Sequence, residues 1–538
     1  MKTKILFLFF LCISMFILNA QKLPLLKTSK KNIDIKYNGR NTQWLVSPEI
    51  DIDTFDIFEL NTSNTLWVKI ASDIDSISFK VKLNNPFFLN VVFNEDTAFT
   101  CINYTNRYPN TLSISDKIFT LSLLWSEVKY NFAFFDELTF DWDSLYQSYL
   151  TKIEHTKDDI DFYELMRQYM GCLHDGHTSF YRPGIYSTYA DYIPMLVRYF
   201  NDTLYITDSR IESIPVGSKI VKINNFLAEE YMNKYIFPYV ESNYPPTQKM
   251  LAASELLSSR KLDHQLTITY ITPNNEVCTN TLPRNGERTR NKNKEPIKER
   301  AQIVDIKWLE NNFAILALNS FAPEKKFIEL FDKIKDTLYS ADGLIIDLRK
   351  NSGGSTNSGW HVLKHILQDS CFLNFAWQTR VNNGVYRANG NWLEEYEKYY
   401  NLTAFETEFA EPIVIEDSIK RFNFPIVVLI SHNTCSAAED FLIILAERTD
   451  KPLFIGQPTF GSTGSPLIVW DLPNDIGFAR ICARRVLYPY SLKPFNAGIE
   501  PDILVTYTFE EWLSGKDKDL EIAISTLSEL VKKNNYKK

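Results

Sequence analysis

The chain has 538 residues, too many for a single hydrophobic core, so roughly two to four domains are expected. Its composition is that of a globular protein, with 45% hydrophobic, 23% charged and 14% aromatic residues. The formal net charge of −8 argues against a general nucleic-acid-binding protein, and the densest basic stretch, residues 284–300, is broken by Gly and Asn as in an exposed loop.

Residues 1–20 have the pattern of a signal peptide, because Lys2 and Lys4 precede an apolar run and Ala20 offers a small residue for cleavage. The run is shorter than the roughly 20 residues that a spanning helix needs, and no later run is long enough to span a membrane. We therefore expect an exported protein, periplasmic or secreted. The scattered cysteines form no C-x-x-C pair and the histidines no HExxH motif, so neither a metal nor a cofactor is predicted.

Short β-rich runs separated by polar turns occupy residues 22–105, and they predict a small β-sandwich domain over 21–108. The next segment, 109–184, carries apolar residues at helical spacing, with aspartates placed as helix caps. It is predicted to be helical until Gly171 breaks the last helix, just before the polar loop LHDGHT.

Residues 185–300 return to strands. A hairpin around Asn201 and Asp202 is followed by a glycine turn, a strand, a tight turn and a helix, an order that resembles a PDZ-like module. Residues 301–538 alternate continuous apolar strands with helices, which indicates an α/β domain with a covered sheet. An irregular aromatic insertion over 371–420 interrupts this domain, and its position suggests a lid or a substrate wall.

The stretch FPIVVLISHNTCSAAEDFLIILAERT, residues 424–449, predicts a buried strand, a sharp turn and a buried helix, with Ser436 where the turn becomes the helix. SAAE spells a capping box, with Ser436 as N-cap and Glu439 at the third helical position. The alternative is a nucleophile, since a serine at a helix start lies beside backbone amides, such as that of Ala437, that point at a developing oxyanion. Taken alone, the stretch favours the cap.

Three further stretches offer groups for a catalytic site. ADGLIIDLRKNSGGST places Gly353 and Gly354 after a buried strand, where backbone N–H groups can approach a ligand closely. His177 of DGHT stands in a polar break, and imidazole is the side chain best matched to general-base chemistry near neutral pH. The glycine-rich turn GQPTFGSTGSP carries Ser462. Each stretch taken singly also has an ordinary explanation as a turn or a solvent loop.

Together, DLRxNxGG, TxSAAE and GxPTxGS, preceded far upstream by LxDGHT, resemble the motifs of the C-terminal processing peptidases, or tail-specific proteases. These are serine peptidases, and the resemblance covers roughly residues 112–508. It implies a crotonase-like α/β core joined to a helical segment and a PDZ-like module. It also implies a polypeptide substrate.

By this resemblance, Ser436 matches the nucleophile of the family. The amides of Ala437 and of Gly353 or Gly354 would then form the oxyanion hole, in which the loss of one donor typically costs about 10²–10³ in rate.

The resemblance also bears on the base. Members with a Ser-Lys dyad carry lysine where this chain has Ser462, and a serine hydroxyl is not a base. The chain is more similar to the histidine-using branch, which includes the tricorn core protease and retinoid-binding-protein-like members with DGHT. In that branch His177 would accept the proton of Ser436.

Two positions depart from the histidine-using pattern. Gly176 stands where tricorn has a serine before the histidine, and Phe495 stands where a glutamate is expected before G-[IV]-x-P-D. Glu500 is the nearest acidic residue, five positions away. The third member of the relay is therefore left open.

The sequence supports three functions. The first is an exported serine endopeptidase that works through an acyl-enzyme, with Ser436 as nucleophile and His177 as base. The second is a catalytically inactive relative that binds a peptide or another ligand in the same cleft. The third is a crotonase-type acyl-CoA enzyme, against which the export signal and the TxSAAE context argue.

Overall fold

The computed structural model describes residues 112–181, 191–259, 265–283, 302–470, 472–473 and 477–535, together with the short strands found between residues 34 and 98. The predicted signal peptide, residues 1–20, and the basic stretch 284–300 lie outside the described residues. The chain divides into two compact units: Met1–Thr111 with Asp158–Ile160 and Arg182–Tyr189, and Leu112–Lys157 with Asp161–Tyr181 and Ala190–Lys538.

The first unit contains short strands. They are β1 (Asp34–Lys36), β2 (Trp44–Val46), β3 (Thr65–Ile70), β4 (Ser76–Ser78), β5 (Phe87–Phe93) and β6 (Thr97–Ala98). Strand β5 pairs in parallel with β3 and antiparallel with β2 and β6, while β1 pairs antiparallel with β4. The β character agrees with the sequence expectation, and the sandwich domain itself stays a prediction.

The second unit begins with the predicted helical segment, which contains α1 (Ile114–Asn131), α2 (Trp142–Ile153), α3 (Asp159–Gly171) and the strand β7 (Ser179–Tyr181). Asp141 caps α2 by accepting a hydrogen bond from the amide of Ser144, as the aspartate pattern predicts. Trp142 stacks on Tyr169 with ring centroids 4.5 Å apart, in an aromatic core between the helices.

The β-rich module comes next. It contains β8 (Asp191–Tyr192), β9 (Met195–Phe200), β10 (Thr203–Ser209), β11 (Lys219–Ile223), β12 (Phe226–Leu227), α4 (Ala228–Tyr235), α5 (Pro245–Leu256), β13 (Ser258–Ser259), β14 (Gln265–Ile271) and β15 (Val277–Pro283). An antiparallel sheet runs in the order β15-β14-β11-β10-β9. Buried residues alternate with more exposed ones along β14, because one face of the sheet packs on the module core. The PDZ-like identity stays a prediction.

The remainder of the second unit alternates strands and helices. Its strands are β16 (Val304–Trp308), β17 (Phe313–Leu318), β18 (Gly343–Asp347), β19 (Cys371–Leu373), β20 (Ala376–Arg380), β21 (Phe405–Glu408), β22 (Pro412–Val414), β23 (Ile426–Ile430), β24 (Leu453–Gly456), β25 (Pro466–Val469), β26 (Phe478–Cys482), β27 (Arg485–Leu487) and β28 (Ile503–Leu504). Its helices are α6 (Glu324–Leu338), α7 (Thr356–Ile366), α8 (Gly384–Asn389), α9 (Glu397–Tyr400), α10 (Ala437–Ala446), α11 (Phe509–Leu513) and α12 (Lys518–Asn535).

The central sheet has the order β16-β17-β18-β23-β24-β28, and every pairing except β16 with β17 is parallel. Helices cover both faces. On β18, Leu344 and Ile346 pack in the cluster that contains Phe331 of α6, whereas Ile345 packs in the cluster that contains Leu527 of α12. Burial on both faces explains why these strands are continuously apolar, and the α/β class predicted from that pattern is confirmed.

The insertion 371–420 is ordered, so the expectation of an irregular segment is wrong. Strand β20 pairs with β21 inside the insertion and with β27 outside it, and β19 pairs with β22. Buried Arg380 donates from Nη1 to the main-chain oxygen of Lys129 at 2.6 Å and from Nη2 to that of Leu402 at 2.7 Å. The sequence pattern missed these strands because each has only three to five residues, too short for a clear alternation of apolar and polar positions.

None of the helices that the structure describes combines the length with the apolar character that a bilayer-spanning helix requires.

The packing of helices on both faces of the central sheet can be tested with Leu527→Ala. Leu527 is fully buried on α12, so its truncation should lower the free energy of unfolding by about 2–5 kcal/mol, measured by urea denaturation. Leu513→Ala on α11 is the control, because that side chain is 58% exposed. A loss below about 1 kcal/mol for Leu527→Ala would mean that α12 does not pack on the sheet as described.

Candidate active site

Ser436 lies at the turn between β23 and α10, with a strained backbone. Its φ of 57° and ψ of −127° fall in a region that residues other than glycine rarely adopt, and such strain concentrates at functional turns. The hydroxyl of Ser436 does not cap the helix, since the amide of Glu439 bonds to the main-chain oxygen of Ser436 at 2.6 Å. The other half of the predicted capping box is present, because Oε2 of Glu439 accepts the amide of Ser436 at 3.2 Å.

His177 reaches this turn from a loop 259 residues upstream. Its Nε2 lies 3.1 Å from the Oγ of Ser436. The loop is held by Asp175, whose Oδ2 accepts the amide of His177 at 3.1 Å and the hydroxyl of Thr178 at 2.6 Å. The loop leads into β7, which pairs antiparallel with β26. The two residues that the sequence motifs suggested for nucleophile and base are thus in hydrogen-bond contact.

The imidazole of His177 is 6% exposed. Burial, together with the positive charges of Arg480 and Arg484, lowers the pKa of His177 to about 4. The ring is therefore neutral at physiological pH, in the form that can accept a proton.

Behind His177 stand two side chains to which the sequence assigned no role. The Nδ1 of His177 lies 2.7 Å from the Oγ of Ser462, which in turn lies 3.4 Å from Oδ1 of Asp175. If Ser462 donates to the carboxylate, it accepts from Nδ1–H, and this leaves Nε2 of His177 as the acceptor facing Ser436. Burial raises the pKa of Asp175, against the hydrogen bonds that it accepts.

Gly176 leaves the space that Ser462 fills. A Cβ on Gly176 would lie 2.9 Å from Cβ and 3.0 Å from Oγ of Ser462, and 2.6 Å from the ring of Phe460. The chain therefore has no room for a side chain before His177, and a hydroxyl from the glycine-rich loop occupies that place.

Glu439 bonds both to the turn that carries Ser436 and to the glycine-rich loop that carries Ser462. Its fully buried carboxylate accepts hydrogen bonds from the hydroxyl of Thr459 at 2.5 Å and from the amides of Gly461 at 2.7 Å, Ser462 at 3.0 Å and Ser436 at 3.2 Å. Burial raises the pKa of Glu439 to about 8, whereas all four contacts are donors that favour the carboxylate. The sequence predicted Glu439 as a cap, and it also holds the glycine-rich loop against α10.

Of the two glycines predicted as oxyanion donors, Gly353 lies beside Ser436. Gly353 has a φ of 102°, and a Cβ on it would lie 2.7 Å from Cβ of Ser436 and 3.1 Å from the amide nitrogen of Ala437. The amide of Gly353 donates to Oδ1 of Asn351 at 2.9 Å. Gly354, with a φ of 138°, packs against the backbone of Phe321 instead.

Phe495 and Glu500, which the sequence analysis considered for the third member of the relay, make other contacts. Phe495 is buried in the apolar core beneath the sheet. Glu500 is exposed and accepts a hydrogen bond from the hydroxyl of Tyr244 at 2.5 Å. Both ring nitrogens of His177 are engaged, by Ser436 and Ser462, and Ser462 in turn lies within hydrogen-bond distance of the carboxylate of Asp175.

The β-rich module supports the glycine-rich loop. The hydroxyl of Thr247 on α5 donates to the main-chain oxygen of Phe460 at 2.6 Å. Gly461 faces the side chain of Tyr244 so closely that an added Cβ would lie 3.2 Å from it. Within the described ranges, no cluster of His, Cys, Asp and Glu side chains is arranged to hold a metal ion.

The profile of peptidase family S41 matches residues 312–505, and that of the Tricorn protease C1 domain matches residues 121–171. Residues 312–505 therefore match peptidase family S41. By this match the chain is a serine-type peptidase, and the resemblance drawn from the four motifs is confirmed.

Solved structures share the fold. Mature CPAF complexed with lactacystin superposes with a TM-score of 0.57 at 14% identity, covering 78% of this chain and 99% of that one. Mature CPAF alone gives a TM-score of 0.52 at 15% identity, covering 74% and 96%. No curated protein sequence matches the chain.

The role of Glu439 in holding the glycine-rich loop against α10, called here the loop clamp, can be tested with Glu439→Leu. This substitution keeps a similar volume and removes the acceptor. Four donors lose their partner in a buried site, so the free energy of unfolding should fall by roughly 2–4 kcal/mol in urea denaturation. Exposed Glu529 on α12 provides the control, Glu529→Leu. Equal stability of the two variants would contradict the clamp.

Proposed function

We propose that this peptidase is an exported serine endopeptidase that hydrolyses peptide bonds through an acyl-enzyme. Ser436 is the nucleophile and His177 is the base. The observation that carries the proposal is the 3.1 Å contact between Nε2 of buried, neutral His177 and Oγ of strained Ser436. Export rests on the leader pattern of residues 1–20.

In the first step, Oγ of Ser436 attacks the carbonyl carbon of the scissile bond and its proton passes to Nε2 of His177. The C–O bond forms while the carbonyl π electrons move onto oxygen. The tetrahedral intermediate then expels the amine, which takes the proton from His177. Water attacks the acyl-enzyme by the same route, giving its proton to His177 and returning Ser436 as a hydroxyl.

The oxyanion is held by the amide of Ala437 and by that of Gly353 or Gly354. Gly353 lies directly against Ser436, and its amide would exchange Oδ1 of Asn351 for the substrate oxygen. Such donors stabilise the developing charge more in the transition state than in the ground state.

Ser462 and Asp175 are positioning residues in this scheme. The chain of hydrogen bonds from Nδ1 of His177 through Ser462 to Asp175 keeps the ring in the tautomer that accepts from Ser436. The imidazolium formed during the reaction then faces a hydroxyl dipole with a carboxylate behind it.

Ser436→Ala should lower peptide hydrolysis at least about 10³-fold, and it should abolish covalent labelling by a fluorophosphonate probe. Casein cleavage and labelling of the purified mature chain provide the two readouts, with exposed Ser525→Ala as the control. An unlabelled wild type, with casein cleavage insensitive to Ser436→Ala, would instead support the inactive binding relative.

The pH profile tests the base. Because the pKa of His177 is lowered to about 4, the neutral base persists well below pH 6.5, and the acid limb of kcat/KM should lie near pH 4. The same shift has a stability consequence. The neutral buried ring contributes stability above pH 6.5 that is lost as the pH falls through about 4. An acid limb near pH 6.5 would contradict the buried, neutral base.

Because a side chain at position 176 would clash with Ser462, a substitution of Gly176 tests the relay from its other side. Gly176→Ala should displace Ser462 and lower kcat about as much as Ser462→Ala, with KM little changed, because both disturb the group behind His177. The double variant should be no worse than either single one. Additive losses would overturn the relay.

A further inference from the structure

A second buried carboxyl group lies beside Glu439. Asp440, the next residue of α10, is 2% exposed. Its Oδ1 accepts the hydroxyl of Thr463 at 2.7 Å, and its Oδ2 accepts the hydroxyl of Thr356 at 2.8 Å. Burial raises the pKa of Asp440, and the two hydroxyl groups together with the positive charge of Arg484 oppose that shift. The two threonines thus supply the donors that a carboxyl group needs where water does not reach it.

The two threonines belong to the two segments that lie against the nucleophile. Thr463 directly follows Ser462 in the glycine-rich loop. Thr356 is the first residue of α7. It follows residues 351–355, called here the oxyanion segment because they include the two glycines predicted as oxyanion donors. Asp440 therefore ties both segments to the first turn of α10.

The oxyanion segment is attached to the nucleophile turn at both ends. At its start, the main-chain oxygen of Asn351 accepts the amide of Cys435, the residue before the nucleophile, at 3.1 Å. At its end, the hydrogen bond from Thr356 to Asp440 joins it to α10. Gly353, which lies directly against the nucleophile, stands between these two attachments.

Asp440 is also bonded to the nucleophile residue itself. Its amide donates to the main-chain oxygen of Ser436 at 3.0 Å, within the first turn of α10. The position of the glycine amides relative to Oγ of Ser436 therefore depends on this helical turn and on the hydrogen bond from Thr356. Donors of an oxyanion hole act only at about 2.7–3.1 Å from the place that the oxyanion will occupy, so a shift of the segment weakens them.

We infer that Asp440 is a positioning residue that holds the oxyanion segment at its working distance from Ser436 through the hydroxyl of Thr356. The inference rests on the proposed function, because such donors matter only if Ser436 attacks a carbonyl group. It differs from the loop clamp, in which Glu439 holds the glycine-rich loop. A misplacement of about 1 Å in an active site can cost about 10²-fold in rate.

Thr356→Val tests the inference, because it replaces the hydroxyl with a methyl group of similar size and removes one attachment of the segment. The substrate is a fluorogenic peptide that contains a wild-type cleavage site mapped in casein by mass spectrometry. We expect kcat to fall about 10–10²-fold with KM little changed, because the oxyanion donors act mainly in the transition state. Thr356→Ser keeps the hydroxyl and should retain most of kcat. Thr356→Ala takes the place of Thr356→Val if that variant does not fold.

A peptide boronate of the same sequence separates positioning from a general loss of structure. Its tetrahedral adduct with Ser436 places an oxygen where the oxyanion forms, so its inhibition constant in Thr356→Val should rise by the same factor as kcat/KM falls. Asp440→Ala should lower kcat at least as much as Thr356→Val. The double variant should be no worse than Asp440→Ala alone, because both changes remove the same hydrogen bond.

Thr337→Val is the matched control, since Thr337 is exposed on α6 and its hydroxyl donates to the main-chain oxygen of Ile334 in the same helix. Fluorophosphonate labelling of Ser436 is followed in every variant. If folded Thr356→Val has the kcat of Thr337→Val, or raises KM alone, the positioning role is overturned and the peptidase stands. Absence of labelling in the wild type overturns the proposed function, and the inference falls with it.

Discussion

The geometry of the candidate site depends on one buried carboxylate. Glu439 accepts hydrogen bonds from the start of its own helix and from the glycine-rich loop, so it fixes Ser436 and Ser462 relative to each other. A carboxylate without water around it is stable only where donors surround it, and here the backbone of two separate segments supplies most of them. The constraint therefore works in both directions: the two segments satisfy the buried carboxyl group of Glu439, and its hydrogen bonds hold the two segments together.

The base is brought to this clamp by tertiary packing. The loop that carries His177 continues into β7, which pairs with β26 in the three-stranded sheet β25-β26-β7. The helices of the segment before His177 pack on this sheet. From the other side, Thr247 of the β-rich module bonds the backbone beside the glycine-rich loop. Three parts of the second unit thus converge on the turn at Ser436 and the glycine-rich loop. Because these parts are far apart in the chain, each motif taken alone is an ambiguous turn.

Some members of the site could be named from the sequence because they lie in recognisable motifs. Ser436 in TxSAAE and His177 in DGHT each have an ordinary local explanation, and only the four motifs together pointed to a catalytic pair. Asp175 belongs to the same DGHT motif, but its role depends on Ser462, which is 287 residues away. Glu500 is the acidic residue nearest in sequence to Phe495, where the family pattern has a glutamate, but it accepts a hydrogen bond from Tyr244. Spacing along the chain does not determine which way a loop residue faces.

The sequence by itself determined the α/β class of the core, the helical segment before it and the β-rich module, which follow from hydrophobic period. Its four motifs named Ser436 and His177 through their resemblance to those of the C-terminal processing peptidases. Only the tertiary structure decided the group behind His177 and the strands of the insertion. The reason is steric. Gly176 leaves a space of side-chain size, and nothing in the linear order of residues says that Ser462 fills it.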